Sequence, residues 1–151
     1  MVIKVKVTTN FRRQAIKRAM KKANFSSLGK AGAFIRQIMR RSIRRRKEGG
    51  KPSEPGKPPK STGPLKEAIL FEVSPQKDDV AIGPTFGGFG KLGALHEEGG
   101  TAIGKVFEET ADGRFKSKKV LKRYPKRPFA APALEKARPR LPRLWANSVK
   151  S

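Results

Sequence analysis

His96 is the only histidine of the chain, and Glu97 and Glu98 follow it directly. An imidazole beside carboxylates is the pairing that ligates a metal or moves a proton near neutral pH. A zinc-protease motif would need a second histidine four positions on, where Gly100 stands. With 12 Asp and Glu in 151 residues and no cysteine, the remaining ligands or a nucleophile are hard to supply. The pattern favours a structural or interface histidine, with no catalytic group, metal, cofactor or small-molecule substrate expected. A second lead is Gly88-Phe89-Gly90-Lys91-Leu92-Gly93, which fits GxGxxG by letter. That loop binds a dinucleotide only between the strand and helix of a βαβ unit, where a helix amino terminus meets the pyrophosphate. Here the chain runs on into His-Glu-Glu-Gly-Gly with no parallel unit in prospect, so a Gly-rich loop is expected over 83–93. Gly90-Lys91 is no Walker motif either, because Leu92 takes the Ser/Thr position.

Charge is the stronger signal. The chain carries 36 Lys+Arg against 12 Asp+Glu, a formal net charge of +24. Such an excess repels itself across a small surface and becomes tolerable beside a polyanion or an acidic partner. The cations are also segregated, since no Asp or Glu occurs before Glu48. Pairing at i,i+4 is therefore impossible in the amino-terminal block. Arginine suits phosphate and carboxylate through its planar fork. Arg36, Arg40, Arg41, Arg44, Arg45, Arg46 and Lys47 are the candidate contacts to DNA or to an acidic protein. No helix-turn-helix, zinc finger or aromatic RNA-binding motif accompanies them, so sequence-specific reading is not expected.

The elements that would position these residues follow from pattern. Residues 2–8 alternate as a strand, and Thr8-Thr9-Asn10 can cap a helix. Phe11, Ala15, Ile16, Ala19, Met20 and Ala23 recur at helical spacing. Ser26-Ser27 is expected to break that helix before a second one, with Ala31, Phe34, Ile35, Ile38, Met39 and Ile43 as its stripe, ending in Arg44-Arg45-Arg46-Lys47. Residues 48–64 (EGGKPSEPGKPPKSTGP) exclude a helix or central strand and predict a long extended loop, mobile in isolation and held by neighbouring chains. Strands are expected at 65–73 and 80–83 around a turn at 74–79, then at 103–107 and 115–121 around Ala111-Asp112-Gly113. A closing helix starts at Ala130, bent or restarted by Pro139 and Pro142.

The order predicts an α+β fold in a single domain over 1–151: strand and basic helices (1–47), extended loop (48–64), a β-rich part with a small antiparallel sheet (65–124) and a carboxy-terminal helix (125–151). Hydrophobic residues make up 36% and mean hydropathy is -0.61, so the core is thin for the length. Burial against other copies would relieve that shortage. No apolar run approaches the roughly 20 residues of a membrane span. Residues 1–7 alternate instead of forming an apolar core, so no signal peptide and no membrane partner are expected.

Three segments carry a family resemblance. Ser53-Glu54-Pro55-Gly56-Lys57-Pro58-Pro59-Lys60-Ser61-Thr62-Gly63-Pro64-Leu65, continuing to Ile69, resembles the PGxPPxxxTGxLxxxI passage of small tail-completion and neck proteins of long-tailed bacteriophages. The segment 94–101 (ALHEEGGT) is similar to their hxxExGT element with one extra Gly, and 124–135 (YPKRPFAAPALE) resembles ARPFLxPAL, which opens the closing helix. The likeness spans roughly residues 10–148, while the extreme charge and the Gly-rich stretch at 83–93 depart from it. It implies a virion protein at the head–tail junction, a ring of six or twelve copies contacting portal or adaptor and tail-tube proteins, with genomic DNA passing through. Assembly would take place in the host cytoplasm. Pro55, Gly56, Pro58, Pro59, Thr62, Gly63, Leu65, His96, Glu97, Arg127, Pro128 and Phe129 become the candidate assembly residues, with Phe129 as an anchor in a neighbouring surface. The competing reading is a stand-alone basic nucleic-acid-binding protein of ribosomal or architectural type, which leaves the 94–101 and 124–135 segments without a role.

Overall fold

The computed structural model describes residues 12–47, 49–61, 65–85, 89–109 and 113–149. The expected strand over 2–8, its following cap, and Phe11, Thr62 and Gly63 lie outside these residues. The fold is α+β. A long helix α1 (Arg13–Ser42) is followed by two-residue strands β1 (Arg44–Arg45) and β2 (Lys60–Ser61), which pair in parallel. A hairpin β3 (Ile69–Ser74) and β4 (Asp79–Pro84) comes next, then α2 (Phe89–Glu98). A longer hairpin β5 (Gly100–Glu109) and β6 (Phe115–Tyr124) leads to α3 (Ala130–Ala137), a 3-10 turn at Arg138–Arg140 and the single turn α4 (Pro142–Trp145).

The break expected at Ser26-Ser27 does not occur, and α1 is one helix of 30 residues. Ser27 is buried inside it, and its hydroxyl donates to the Leu144 carbonyl 2.9 Å away. That outlet for the hydroxyl removes its competition with the helix backbone, which is the reason serine ordinarily weakens helices. Buried positions recur every fourth residue, at Ala23, Ser27, Ala31, Ile35 and Met39, and continue to Ile43 just past the helix. Beyond Ser42 the chain is extended, so Arg44 and Arg45 belong to a strand and not, as expected, to the end of a helix.

Phe71 and Val80, on the α1-facing side of the β3–β4 hairpin, pack against Gly32. A Cβ there would lie 2.5 Å from Phe71 Cδ2 and 2.8 Å from Val80 Cγ2, so only glycine admits this approach. Asn24 ties the layers together: its amide donates to Asp78 at the hairpin turn, and its carbonyl oxygen accepts from the Trp145 indole. Ile35, Met39, Ile43, Leu65, Ile69, Phe129, Ala133 and Ala137 form the buried cluster where α1, the start of β3 and α3 meet. The strand expected from residue 65 begins only at Ile69; residues 65–68 turn, with Leu65 sealed in the core.

Of the loop expected over 83–93, residues 89–93 belong to the helix α2. Leu92, Ala94, Leu95, Glu97 and Glu98 are strong helix formers, and Gly93 is buried against Pro84 of β4. The helix ends at Gly99, whose φ of +78° is the left-handed conformation glycine adopts without strain. Its N–H donates to the Leu95 carbonyl at 3.0 Å and closes the last turn. Pro139 and Pro142 interrupt the carboxy-terminal helix as expected.

Candidate functional site: a three-segment node and two exposed surfaces

The three segments that carry the resemblance meet in space. The Glu97 carboxylate, at the end of α2, accepts three backbone N–H groups at the start of α3: Phe129 (2.9 Å), Ala130 (3.0 Å) and Ala131 (2.8 Å). These are donors that a helix amino terminus leaves unsatisfied, and neither Phe129 nor any other cap residue of α3 serves them with a side chain. Arg127 joins the other two segments. Its N–H donates to the His96 carbonyl at 2.6 Å, and its Nε donates to the Ser53 carbonyl at 2.7 Å. The Gly56 N–H donates to the Lys126 carbonyl at 2.8 Å. The 49–61 segment is therefore tied back to its own chain at Ser53 and Gly56. The reason is specific: Gly56 and Ser53 present backbone groups to the 126–127 stretch, and Ser53 and Pro59 are buried.

Electrostatics follow from this geometry. Burial works to raise the Glu97 carboxyl, but the three N–H donors and nearby Lys126 outweigh it and hold the group below its ordinary value. His96 is pushed down, first by burial and second by the Arg127 charge, so the neutral imidazole is favoured. Its Nδ1 is buried with no partner among the described residues. Glu97 is thus committed to capping α3. Among the described residues no three His, Cys, Asp or Glu side chains gather as a metal site.

Several expected assembly residues are core residues instead. Phe129, expected to anchor in a neighbour, is 1% exposed within its own chain, and Leu65 and Pro59 are equally sealed. A Phe after Arg-Pro enters the core because the α3 amino terminus is drawn onto Glu97. Pro58, His96, Arg127 and Pro128 are half-buried, and Pro55 and Gly56 are exposed. Of the basic candidates, Arg36 spends its Nε on the Ile69 carbonyl (2.7 Å). Arg40 and Arg46 are half-buried, with Arg46 Nε lacking a partner among the described residues. Arg41, Arg44, Arg45 and Lys47 are exposed.

Two surfaces escaped the sequence reading. One is the β5–β6 hairpin, which contributes nothing to the buried core among the described residues. Its register places Ile103 opposite Leu121 and Phe107 opposite Ser117, with Phe115 two residues from Ser117, all on one face by the two-residue period. Ile103, Phe107, Phe115 and Leu121 are 71%, 67%, 70% and 69% exposed. The other is a cleft of about 640 Å³ between the end of α1 and the 51–60 stretch, lined by cations from both. The alternation in 103–107 and 115–121 pointed to strands, but nothing in it told whether the apolar face met the chain's own core.

No match was found among protein-family models, curated proteins or solved structures. No helix of the described residues is long and apolar enough to cross a membrane.

Proposed function

We propose that this chain is a structural virion protein of a tailed bacteriophage, assembling as a homo-oligomeric ring at the head–tail junction, in a tail-completion, tail-terminator or neck role. The ring attaches the tail and lets genomic DNA pass; its work is binding and assembly, not catalysis. The observation that carries the reading is the uncovered apolar face of the β5–β6 hairpin. A lone two-stranded hairpin is marginal in water, and four large apolar side chains on one face call for a cover. Covering each would contribute about 1.5–3 kcal/mol. Repeating one surface around a closed ring supplies such a cover at every subunit. Lys105 and Lys119 stand directly opposite each other on that face; such a like-charge pair is unfavourable until a neighbour brings an acidic group to it. The convergence of the three family-like segments on one hydrogen-bonded node supports the resemblance, because their order in the chain then has a structural reason.

The test is the mass of the purified chain and of a Phe107→Ser/Leu121→Ser variant by sedimentation velocity. The expected result is a wild-type ring of six or twelve copies and a variant that stays monomeric with an unchanged far-ultraviolet circular dichroism spectrum. A wild-type chain that stays monomeric at all concentrations and binds neither portal nor tail-tube protein would overturn the reading.

A further inference from the structure

We propose that the cleft between the end of α1 and the 51–60 stretch is a phosphate-binding track for a nucleic-acid backbone. This deepens the DNA-passage part of the reading above and rests on it for its biological setting. The cleft is lined by Arg41 and Arg44 on one side and by Lys51, Lys57 and Lys60 on the other. One carboxylate accompanies them: Glu54, which pairs with Lys57 at 2.7 Å and leaves the other four cations without an ion-pair partner among the described residues. Strand pairing sets Arg44 directly beside Lys60. Two like charges held side by side are destabilising until an anion lies between them. Ser53 also lines this cleft; the residue is 7% exposed, and its Oγ is buried with no partner among the described residues. A buried hydroxyl without a partner is uncommon in folded proteins and suits an anionic oxygen acceptor.

The extent of the cationic surface argues for a polymer. Arg41 lines a second groove on the far side, with Arg36, Arg40 and Lys66. The two grooves therefore meet at Arg41. A chain of evenly spaced phosphates neutralises such a track, whereas a single phosphate fills one end of it. Arginine and lysine bind phosphodiesters without reading bases, so the binding is independent of sequence and sensitive to salt.

The full-length chain is titrated into a labelled 20-base-pair duplex of mixed sequence over a range of NaCl concentrations. Three proteins are compared: wild type, Arg44→Gln/Lys51→Gln/Lys60→Gln in the cleft, and Lys116→Gln/Lys118→Gln/Lys122→Gln on the hairpin, which removes equal charge. The cleft variant is expected to bind at least 10-fold more weakly at 150 mM NaCl and to lower the salt slope by roughly 2–3, about one for each phosphate no longer neutralised. The hairpin variant should lose less than about a third of that slope by the same relation. Equal losses in the two variants overturn the proposal, because the charge then acts diffusely. Displacement of the duplex by polyglutamate of equal charge concentration overturns it in favour of an acidic protein. Displacement by millimolar pyrophosphate at constant ionic strength overturns it in favour of a single-phosphate site. Masses are taken on the same samples: a monomer with the expected loss keeps the track and removes the ring, and a ring without that loss does the reverse.

Discussion

Glu97→Ala removes the one side chain among the described residues that satisfies the start of α3. Three N–H groups lose their acceptor at once, those of Phe129, Ala130 and Ala131. A hydrogen bond to a charged group contributes about 1.5–3 kcal/mol and a helix cap typically about 1 kcal/mol, and the three share one carboxylate, so they do not add. The Ala131 bond is exposed, and water can replace it. The expected loss is therefore about 2–4 kcal/mol, which lowers the melting temperature of a chain this size by roughly 5–12 °C. Glu97→Gln keeps one acceptor oxygen but turns an amide toward a donor, and should lose about half as much. The pH dependence is the sharper assay. The folded carboxyl titrates below its ordinary value of 4.5, so the unfolded chain binds more protons in the window between the two values. Its contribution is present above about pH 4.5 and lost as pH falls through the folded value. Melting followed by circular dichroism should show wild type and Glu97→Ala converging as the pH is taken below 4.5. A difference under 2 °C at pH 7, or one that persists undiminished in acid, would refute the capping role.

His96 gives a second acid step. Its folded pKa lies below the ordinary 6.5, so the stability it contributes is full above pH 6.5 and falls as pH drops toward the folded value. Thermal melts of wild type and His96→Asn between pH 7.5 and 5 should show a decline in the former that is flattened in the latter. Gly32→Val places a side chain where Phe71 and Val80 already sit; overpacking of this kind costs about 1–3 kcal/mol, read as a lower urea midpoint with an unchanged slope.

The fold class was legible because hydrophobic period and Pro/Gly punctuation are local signals. The β3–β4 hairpin and the interruptions at Pro139 and Pro142 came directly from them. The misreadings share a physical cause. Ser27 reads as a break until Leu144, 117 positions away, offers its carbonyl. The 51–60 stretch reads as loose until Gly56 and Ser53 meet 126–127. Gly93 reads as a loop residue until Pro84 packs on it. Each outcome depends on a partner distant in sequence. The candidate site behaves likewise: Glu97 and Arg127 were marked by resemblance, but only proximity makes one a cap for α3 and the other a clamp on Ser53. The cleft that Lys51, Lys57 and Lys60 share with Arg41 and Arg44 exists only once their loop folds back.

The four-residue rhythm of the buried positions along α1 has a geometric outcome. Each step of four advances the helix by 400°, a net drift of about 40°, so the contact line from Ala23 to Met39 winds through roughly 160°. The core therefore touches this helix along a spiral rail that changes side as it rises. The surface left over for cations is the complementary spiral, and Arg36 and Arg40, also four apart, drift in the same sense. A straight rod laid along the helix would meet those charges over only a couple of turns.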